Sequence, residues 1–427
     1  MLDISLFRNE ETRTKIRISE KSRFKDETIV DKIYELDQER IKINFQLEKI
    51  NAEVNAIQNK IKESFKAKSE NFKNVVDDLN KLKIEPEKKK LELKEQATEL
   101  KCQIDKLLTS VGNIVDESVP ICKNDDGNIT VKTFEGLKGI VNAPKGYAEL
   151  MKRFTNSEIG AEVVGHRGYY LQGKMALLGR ALKNYAIDFL IQKNYEFIQT
   201  PVMMKKDVMA LTSQLSDFDD LLYKVEDDLY LIATSEQPIT ALFMNKRMTD
   251  EELPTFYAGE SQCFRKEAGA YGKDNAGIFR VHQFEKIEQF VFCKPEDSPN
   301  FHEALIKTSE EFYQSLGLSY QVVMISSGEL NDASAKKYDL EAWFPNAGKF
   351  RELVSGSNCT DYQSRNLNVQ YGYHKENEKI KYVHMLNCTL CAVQRSLCCI
   401  VENYQDGDKI IVPDVLKPYT KFDYIEI

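Results

Sequence analysis

Residues 264–290 read FRKEAGAYGKDNAGIFRVHQFEKIEQF. Two β-like runs, FRKE (264–267) and IFRVHQFEKIEQF (278–290), flank a loop with three glycines and a Lys-Asp pair. Successive side chains on a strand point to opposite faces. Arg265 and Glu267 therefore share one face of the first run, and Arg280, His282, Phe284, Lys286, Glu288 and Phe290 share a face of the second. If the runs pair as a hairpin, one side carries Arg265, Glu267, Arg280 and Glu288 with the aromatic Phe284 set among the charges. Taken alone, this reads first as a salt-bridged, exposed hairpin, and the rest of the chain has to supply a reason to read it otherwise.

The chain has 427 residues, enough for two or three domains. It has no apolar run near the roughly 20 residues that span a bilayer, and the acidic start MLDISLFRNEE predicts no secretory or transit peptide. Nine cysteines, an odd number in a large chain, predict reduced thiols and a cytoplasmic setting rather than a disulfide framework. The net charge of −8 is uneven: residues 1–110 hold 24 Lys+Arg against 22 Asp+Glu, so the acidity lies in the remainder. Positive charge is concentrated in KIKESFKAKSENFK (60–73) and KLKIEPEKKKLELK (81–94). Such patches on an acidic protein suit a phosphate-bearing partner, and equally a solvated helical face.

Ile29, Ile33, Leu36, Ile43, Leu47, Ile50, Val54, Ile57 and Ile61 recur at steps of three and four, interrupted at Arg40. That is a coiled-coil seam. A second stripe, Leu93, Ala97, Leu100, Ile104 and Leu107, lies in a helix from about 72 to 108. Pro86 predicts a kink or break within it. A short polar join at 62–71 returns the two helices antiparallel, and at 1.5 Å per residue some 35 residues make an arm of roughly 50 Å. Residues 111–165 read as linker and entry, and 166–427 as alternating strands and helices, so the expected domains are 1–110, 111–165 and 166–427. The last predicted helix is CTLCAVQRSLCCIVENYQ (388–405), leaving only about 23 residues and no room for a further domain.

No P-loop and no Gly-x-Gly-x-x-Gly motif is present. Cys388, Cys391, Cys398 and Cys399 with His384 invite a zinc reading, but the second spacing is too short for a ribbon and the run reads as buried thiols.

Four pieces act together: a long helix and strand ending at Pro201; Phe264-Arg265-x-Glu267 with its loop and Arg280; Glu352-Leu353-Val354-Ser355; and Arg395 on a helix directly after a strand. In combination they resemble the three motifs of the class II aminoacyl-tRNA synthetases. YLIATSEQPI, FRVHQFEKIEQFVF, LEAWFP, SNCTDYQSRN and HMLNCT narrow the resemblance to the seryl-tRNA synthetase family of the eukaryotic cytoplasmic kind, over nearly the whole chain. The fold implied is α+β: an N-terminal antiparallel helical coiled-coil arm, then a mixed, mainly antiparallel sheet flanked by helices.

The resemblance implies ATP and Mg²⁺ as cofactors, and L-serine and tRNA(Ser) as substrates, with room for serylation of tRNA(Sec). Adenylate formation depends mostly on positioning and charge stabilisation, which explains the lack of an obvious acid or base. Arg265 is the implied clamp between the serine carboxylate and the α-phosphate, a bidentate task ill-suited to Lys. Arg280 and Arg395 would hold the outer phosphates, with Arg395 covering the adenine opposite Phe284. Arg265 and Arg395 are thus the implied catalytic pair. Lys266, Glu267, Leu353 and Val354 complete the implied nucleotide site, Glu267 orienting either the adenine amine or the arginines around it. Glu352 and Ser355 would hold Mg²⁺ through hard oxygen ligands. Thr234 and Glu236 would take the serine ammonium, and Glu288 with Thr389 the hydroxyl, joined by Asn387. Lys60, Lys62, Lys66, Lys68 and Lys73 on the arm would meet the long variable arm of the tRNA, and Lys273 its acceptor end. The motif ending at Pro201 implies a homodimer, and nothing implies a membrane.

Two departures stand out. Gly356 occupies a position where the family commonly has Cys, and the basic C-terminal extension of animal relatives is not seen before Ile427. Three other readings compete. A catalytically inactive, synthetase-like tRNA-binding module would show damage at Arg265, Glu288, Glu352 or Arg395, and all four are intact. A coiled-coil scaffold leaves the hairpin charges unexplained. A class II synthetase for proline, threonine or histidine usually carries a further C-terminal domain.

Overall fold

The computed structural model describes residues 1–67, 72–137, 139–213, 221–267, 277–373 and 380–427. The chain divides into two compact units: one of Leu2–Lys21 and Lys25–Gly112, the other of Met1, Ser22–Phe24 and Asn113–Ile427. Among the described residues, no helix is long and apolar enough to cross a membrane.

The first unit is helical: α1 (Ile4–Arg8), α2 (Glu10–Ser22), α3 (Thr28–Ala67) and α4 (Phe72–Leu108). The last two are 40 and 37 residues long. They pack on each other through Ile50, Val54 and Leu93, with Ile43 and Leu47 alongside. Two helices joined by four residues and packed along their length must run antiparallel. Leu93, Leu100 and Ile104 are buried, as the stripe requires. Arg40, which interrupts the seam, has a purpose: it and Arg8 both bind the buried carboxylate of Asp37, at 2.9 and 2.6 Å. Burial opposes ionisation of Asp37, and the two guanidinium hydrogen bonds overcome it, holding the carboxyl below its ordinary range.

Of the kink or break expected at Pro86, the break is absent. Pro86 lies inside α4, which is one continuous helix. An interior proline removes one amide donor and crowds the carbonyl four residues back. Burial of Val76 on one side and Leu93, Leu100 and Ile104 on the other keeps both halves in register.

The second unit is built on an eight-stranded sheet. In chain order its strands are β1 (Ile129–Phe134), β2 (Glu196–Gln199), β3 (Thr255–Phe264), β4 (Gln283–Cys293), β5 (Tyr320–Met324), β6 (Lys336–Phe344), β7 (Lys349–Asn358) and β8 (His384–Ala392). Their spatial order is β1-β5-β6-β7-β8-β4-β3-β2. All neighbours are antiparallel except the edge pair of β2 and β3. Three helices, α5 (Gly173–Ile191), α6 (Ser298–Ser315) and α7 (Val393–Asn403), contribute Leu178, Leu182, Leu305, Phe312, Leu397 and Val401 to one core with Ile287, Val291 and Leu340 of the sheet. These strands are covered on both sides, which is why β4 is buried along most of its length rather than alternating.

The last helix begins later than the sequence predicts. Cys388–Ala392 extends β8, and only Val393–Asn403 is helical. A short run that is apolar apart from one threonine cannot be assigned by periodicity alone, and here pairing with β4 decides it.

Gly356 is required by what faces it. A Cβ built there would lie 2.7 Å from Cys388 Sγ on the neighbouring strand, so Cys388 occupies the space a side chain at 356 would need. Gly356→Ala should cost about 1–3 kcal/mol through overpacking, read as a lower Tm. Adding Cys388→Ala should restore most of the loss.

Candidate active site

One face of the sheet carries the polar side chains that the sequence singles out. The register pairs Cys263 with Phe284, Ser261 with Lys286 and Gly259 with Glu288 across β3 and β4, and Glu288 with Thr389 across β4 and β8. Paired residues share a face, so Phe284, Lys286, Glu288 and Thr389 line up along it. They border a cavity of about 410 Å³. Thr234, Glu236, Arg265, Glu267, Arg280, Glu352, Leu353, Ser355, Asn387 and Arg395 border the same cavity.

The quoted hairpin forms, with one correction. FRKE is not a strand: β3 ends at Phe264, and Arg265–Glu267 follow it. Pairing persists for one more step, Arg265 N donating to His282 O at 2.9 Å. The backbone then turns, with Glu267 at φ 54°. Residues 278–282 likewise precede β4 rather than belonging to it. Leaving the sheet lets Arg280 Nη1 reach Glu267 Oε2 at 2.9 Å. The Arg265 guanidinium lies 5.1 Å from the Phe284 ring centroid. Among the described residues the buried Nε atoms of Arg265 and Arg280 have no partner, so donor capacity remains in the cavity.

At one end are two carboxylates, Glu288 buried and Glu236 half-buried. Glu288, 1 % exposed, pairs with Lys286, and Thr389 Oγ1 donates to Glu288 Oε2 at 3.4 Å. Glu236 opens a short helix, Glu236–Thr240, and its Oε1 accepts from Gln363 Nε2 at 3.2 Å. Burial, then the nearby Glu288, pushes the Glu236 carboxyl above its ordinary range, against the opposing pull of Lys286. Asn387 Nδ2 points to Cys359 Sγ at 3.7 Å.

At the other end, Glu352 and Ser355 are three residues apart, so an unbroken strand would send them to opposite faces. A β-bulge prevents this. Val354 pairs with Leu340 and Glu352 with Glu341, leaving Leu353 as the extra residue. Both oxygen donors thus face the cavity. Asp339 is cross-strand from Ser355, and among the described residues its buried Oδ1 has no partner. Burial, with Glu352 and Glu341 adding, pushes the Asp339 carboxyl up to about 7. Desolvation also opposes the Glu352 anion, but Arg395, Lys337 and Arg265 outweigh it and hold that carboxyl below its ordinary value. Arg395 Nη1 is 3.3 Å from Glu352 Oε2. Its guanidinium lies over Phe279 at 5.1 Å, not beside Phe284. A hard divalent cation fits this donor set, which offers only carboxylate and hydroxyl oxygens, one of them without a partner.

Two stretches of the chain match known family models. Residues 1–115 match the seryl-tRNA synthetase N-terminal domain, and residues 223–404 the class II tRNA synthetase core domain (G, H, P, S and T). The serine--tRNA ligase of Encephalitozoon cuniculi is 64% identical over 427 residues, covering 100% of both chains. The chain belongs to the seryl-tRNA synthetase family. Among solved structures, the cytoplasmic serine-tRNA ligase of Naegleria fowleri in complex with AMP has a TM-score of 0.87 at 43% identity, covering 100% of this chain and 99% of that one. The seryl-tRNA synthetase of Pyrococcus horikoshii complexed with ATP has a TM-score of 0.91 at 37% identity, with the same coverage.

Within this seryl-tRNA synthetase fold, two assigned nucleotide residues do not border the cavity. Lys266 is tied by its backbone N to Leu221 O, and the Val354 side chain is in the core. Lys60, Lys62, Lys66 and Lys73 are exposed on α3 and α4, in the other unit, and Lys68 and Lys273 lie outside the described residues. Cys388, Cys391, Cys398 and Cys399 are buried free thiols, Cys391 pushed up to about 12 by burial. Among the described residues no cluster of His, Cys, Asp and Glu could hold a metal by itself. Sequence reasoning placed Lys286 on the right face but gave it no role. Its signal was the alternation Phe284, Lys286, Glu288, which sets a lysine between two cavity residues on a strand too buried to leave it unpaired.

Proposed function

We propose that this seryl-tRNA synthetase activates L-serine with ATP and transfers it to the 3′ end of tRNA(Ser), with tRNA(Sec) as a second acceptor. The observation that carries this reading is the shared cavity, where the half-buried Glu236 and the buried Glu288 and Thr389 open onto Arg265, Glu352 and Ser355. A catalytically inactive module has no use for that convergence.

In the first step the serine carboxylate attacks the α-phosphorus, the bond to the bridging β-oxygen breaks, and pyrophosphate leaves. In the second a ribose hydroxyl of the tRNA terminus attacks the serine carbonyl, and AMP leaves with the C–O electron pair. Thr234 and Glu236 orient the ammonium, and Glu288, Thr389 and Asn387 select the hydroxyl. Arg265 bridges the carboxylate and the α-phosphate, Phe284 stacks on the adenine, and Arg280 and Arg395 hold the outer phosphates. Glu267 orients Arg280 through their ion pair. Glu352 and Ser355 would hold Mg²⁺, which supplies charge neutralisation at the phosphates.

The two-helix hairpin is a coiled coil in the proposed tRNA-binding domain, residues 1–110. Its exposed lysines, Lys60, Lys62, Lys66 and Lys73, suit the variable arm of the tRNA, with the acceptor end directed to the catalytic domain, 166–427. A homodimer is supported by apolar side chains exposed on α5 and the edge strand, Leu177, Ile191 and Phe197. The cytoplasm is the proposed location.

Serine binding should depend on pH through Glu236. A carboxyl whose folded-state pKa is raised favours its protonated form, so its contribution to stability declines as pH climbs from the ordinary Glu range through the raised value. An ammonium brought to Glu236 favours the anion and expels a proton in that window. Serine affinity should therefore increase with pH across it, by up to about tenfold per unit. Titration calorimetry in two buffers of different ionisation enthalpy should register the released proton, and Glu236→Gln should remove it. Incubation with labelled serine, ATP and tRNA(Ser) tests the whole reaction. Serine esterified to the tRNA terminus is expected, and retention of tRNA without transfer would favour the binding module.

A further inference from the structure

Arg23 lies in the turn between α2 and α3, and Asn113 follows α4; both are buried, 5 % and 3 % exposed. Together they hold five consecutive backbone carbonyls, Leu330 through Ser334. Arg23 Nη1 donates to Leu330 O at 3.4 Å and Asn331 O at 3.2 Å, and its Nη2 donates to Ser334 O at 2.6 Å. Asn113 N donates to Asp332 O at 2.7 Å, and Asn113 Nδ2 to Ala333 O at 2.9 Å. The two holders are locked to each other, because Arg23 Nε and Nη2 both donate to Asn113 O at 3.1 and 2.9 Å. From the same side, Ser327 Oγ donates to Ser22 O at 2.6 Å.

The first two residues held in this way, with the two before them, lie on the active-site cavity. Gly328, Glu329, Leu330 and Asn331 border it, beside Lys337 and Ser357. Lys337 Nζ donates to Glu329 O at 3.2 Å from that direction. Asn113 also reaches the amino-acid end: its Nδ2 donates to Cys359 O at 2.9 Å, and the Cys359 thiol accepts from Asn387. Backbone carbonyls in an ordinary surface loop are satisfied by water. Burying a permanently charged guanidinium to hold them is costly unless every donor is used, and the return here is a fixed wall.

We propose that Arg23 and Asn113 are positioning residues for amino-acid selection: they hold residues 330–334, of which Leu330 and Asn331 border the cavity, as a rigid wall, and that rigidity excludes the extra methyl group of threonine. The inference rests on the serine-activating function proposed above. Polar groups that pair with the serine hydroxyl cannot reject threonine, which also has one. Rejection must come from space that does not yield, and one misfit methyl group is worth only about 10–200-fold, so a wall that gives way loses most of it.

The test is amino-acid-dependent ATP–pyrophosphate exchange by the full chain, with rates scaled to titrated active sites, for wild type, Arg23→Lys and Asn113→Ala. Lysine keeps the charge but cannot span carbonyls on several sides. The expected result is a serine KM raised about tenfold, an unchanged ATP KM, and serine-over-threonine discrimination in kcat/KM lowered about tenfold. If Arg23→Lys fails to fold, Asn113→Ala is read alone. Unchanged serine KM and unchanged discrimination in the folded variants would overturn the proposal, and so would a fall in kcat with both KM values at wild type. Wild type that exchanges with no amino acid would instead remove the serine-activation reading itself.

Discussion

Arg265→Lys should lower serine-dependent pyrophosphate exchange by about 10²–10³-fold, with a thermal midpoint close to wild type. Arg265 leaves the end of β3 and rests over Phe284, with Nε buried and unpartnered. A guanidinium there can present two parallel donors, one to a carboxylate and one to a phosphate, in a fixed plane. Lysine offers the same charge from a single flexible point. On the proposed reading both reacting groups meet at this residue, so the loss should appear in kcat more than in either KM. A loss confined to the KM for ATP would mean that Arg265 binds nucleotide without organising the reaction.

Glu288→Ala should have two large effects that separate cleanly. The first is on choice. A site built to hydrogen-bond a hydroxyl rejects the analogue lacking it by roughly 10⁴–10⁵. Removing Glu288 should collapse most of the serine-over-alanine preference in exchange. The second effect is on stability. Glu288 pairs with Lys286, and both are buried. Deleting one member of a buried pair leaves an uncompensated charge and costs about 3–5 kcal/mol. A double replacement, Glu288→Leu with Lys286→Met, should recover the stability without recovering the preference for serine. Recovery of both would show that the hydroxyl is read elsewhere.

The legibility of the sequence follows from physical range. Heptad spacing is local, so the seam of α3 and the stripe of α4 were readable, and their buried positions match. Arg40 broke the seam for a reason carried by Asp37 and by Arg8 in another helix, a long-range pairing that no window of sequence contains. Face parity worked along β4, where Phe284, Lys286 and Glu288 do share a side. Parity alone would send Glu352 and Ser355, three residues apart, to opposite faces, and only the family resemblance put them together. The bulge at Leu353 that brings them together is set by pairing with β6 and leaves no local trace. Strand β8 was misread at its end because Cys388–Ala392, apolar but for Thr389, has no clear period, and only its partner β4 makes it a strand. Arg23 and Asn113 were invisible for the same reason: their partners lie more than two hundred residues further along the chain.

The most direct measurement is ATP–pyrophosphate exchange without tRNA, comparing serine with alanine, threonine, cysteine and glycine. Exchange with serine far above the others is expected, since Glu236, Glu288 and Thr389 meet Arg265 in one cavity. If no amino acid supported exchange while the protein still bound a long-armed tRNA, the cavity would not be catalytic and the account would fail.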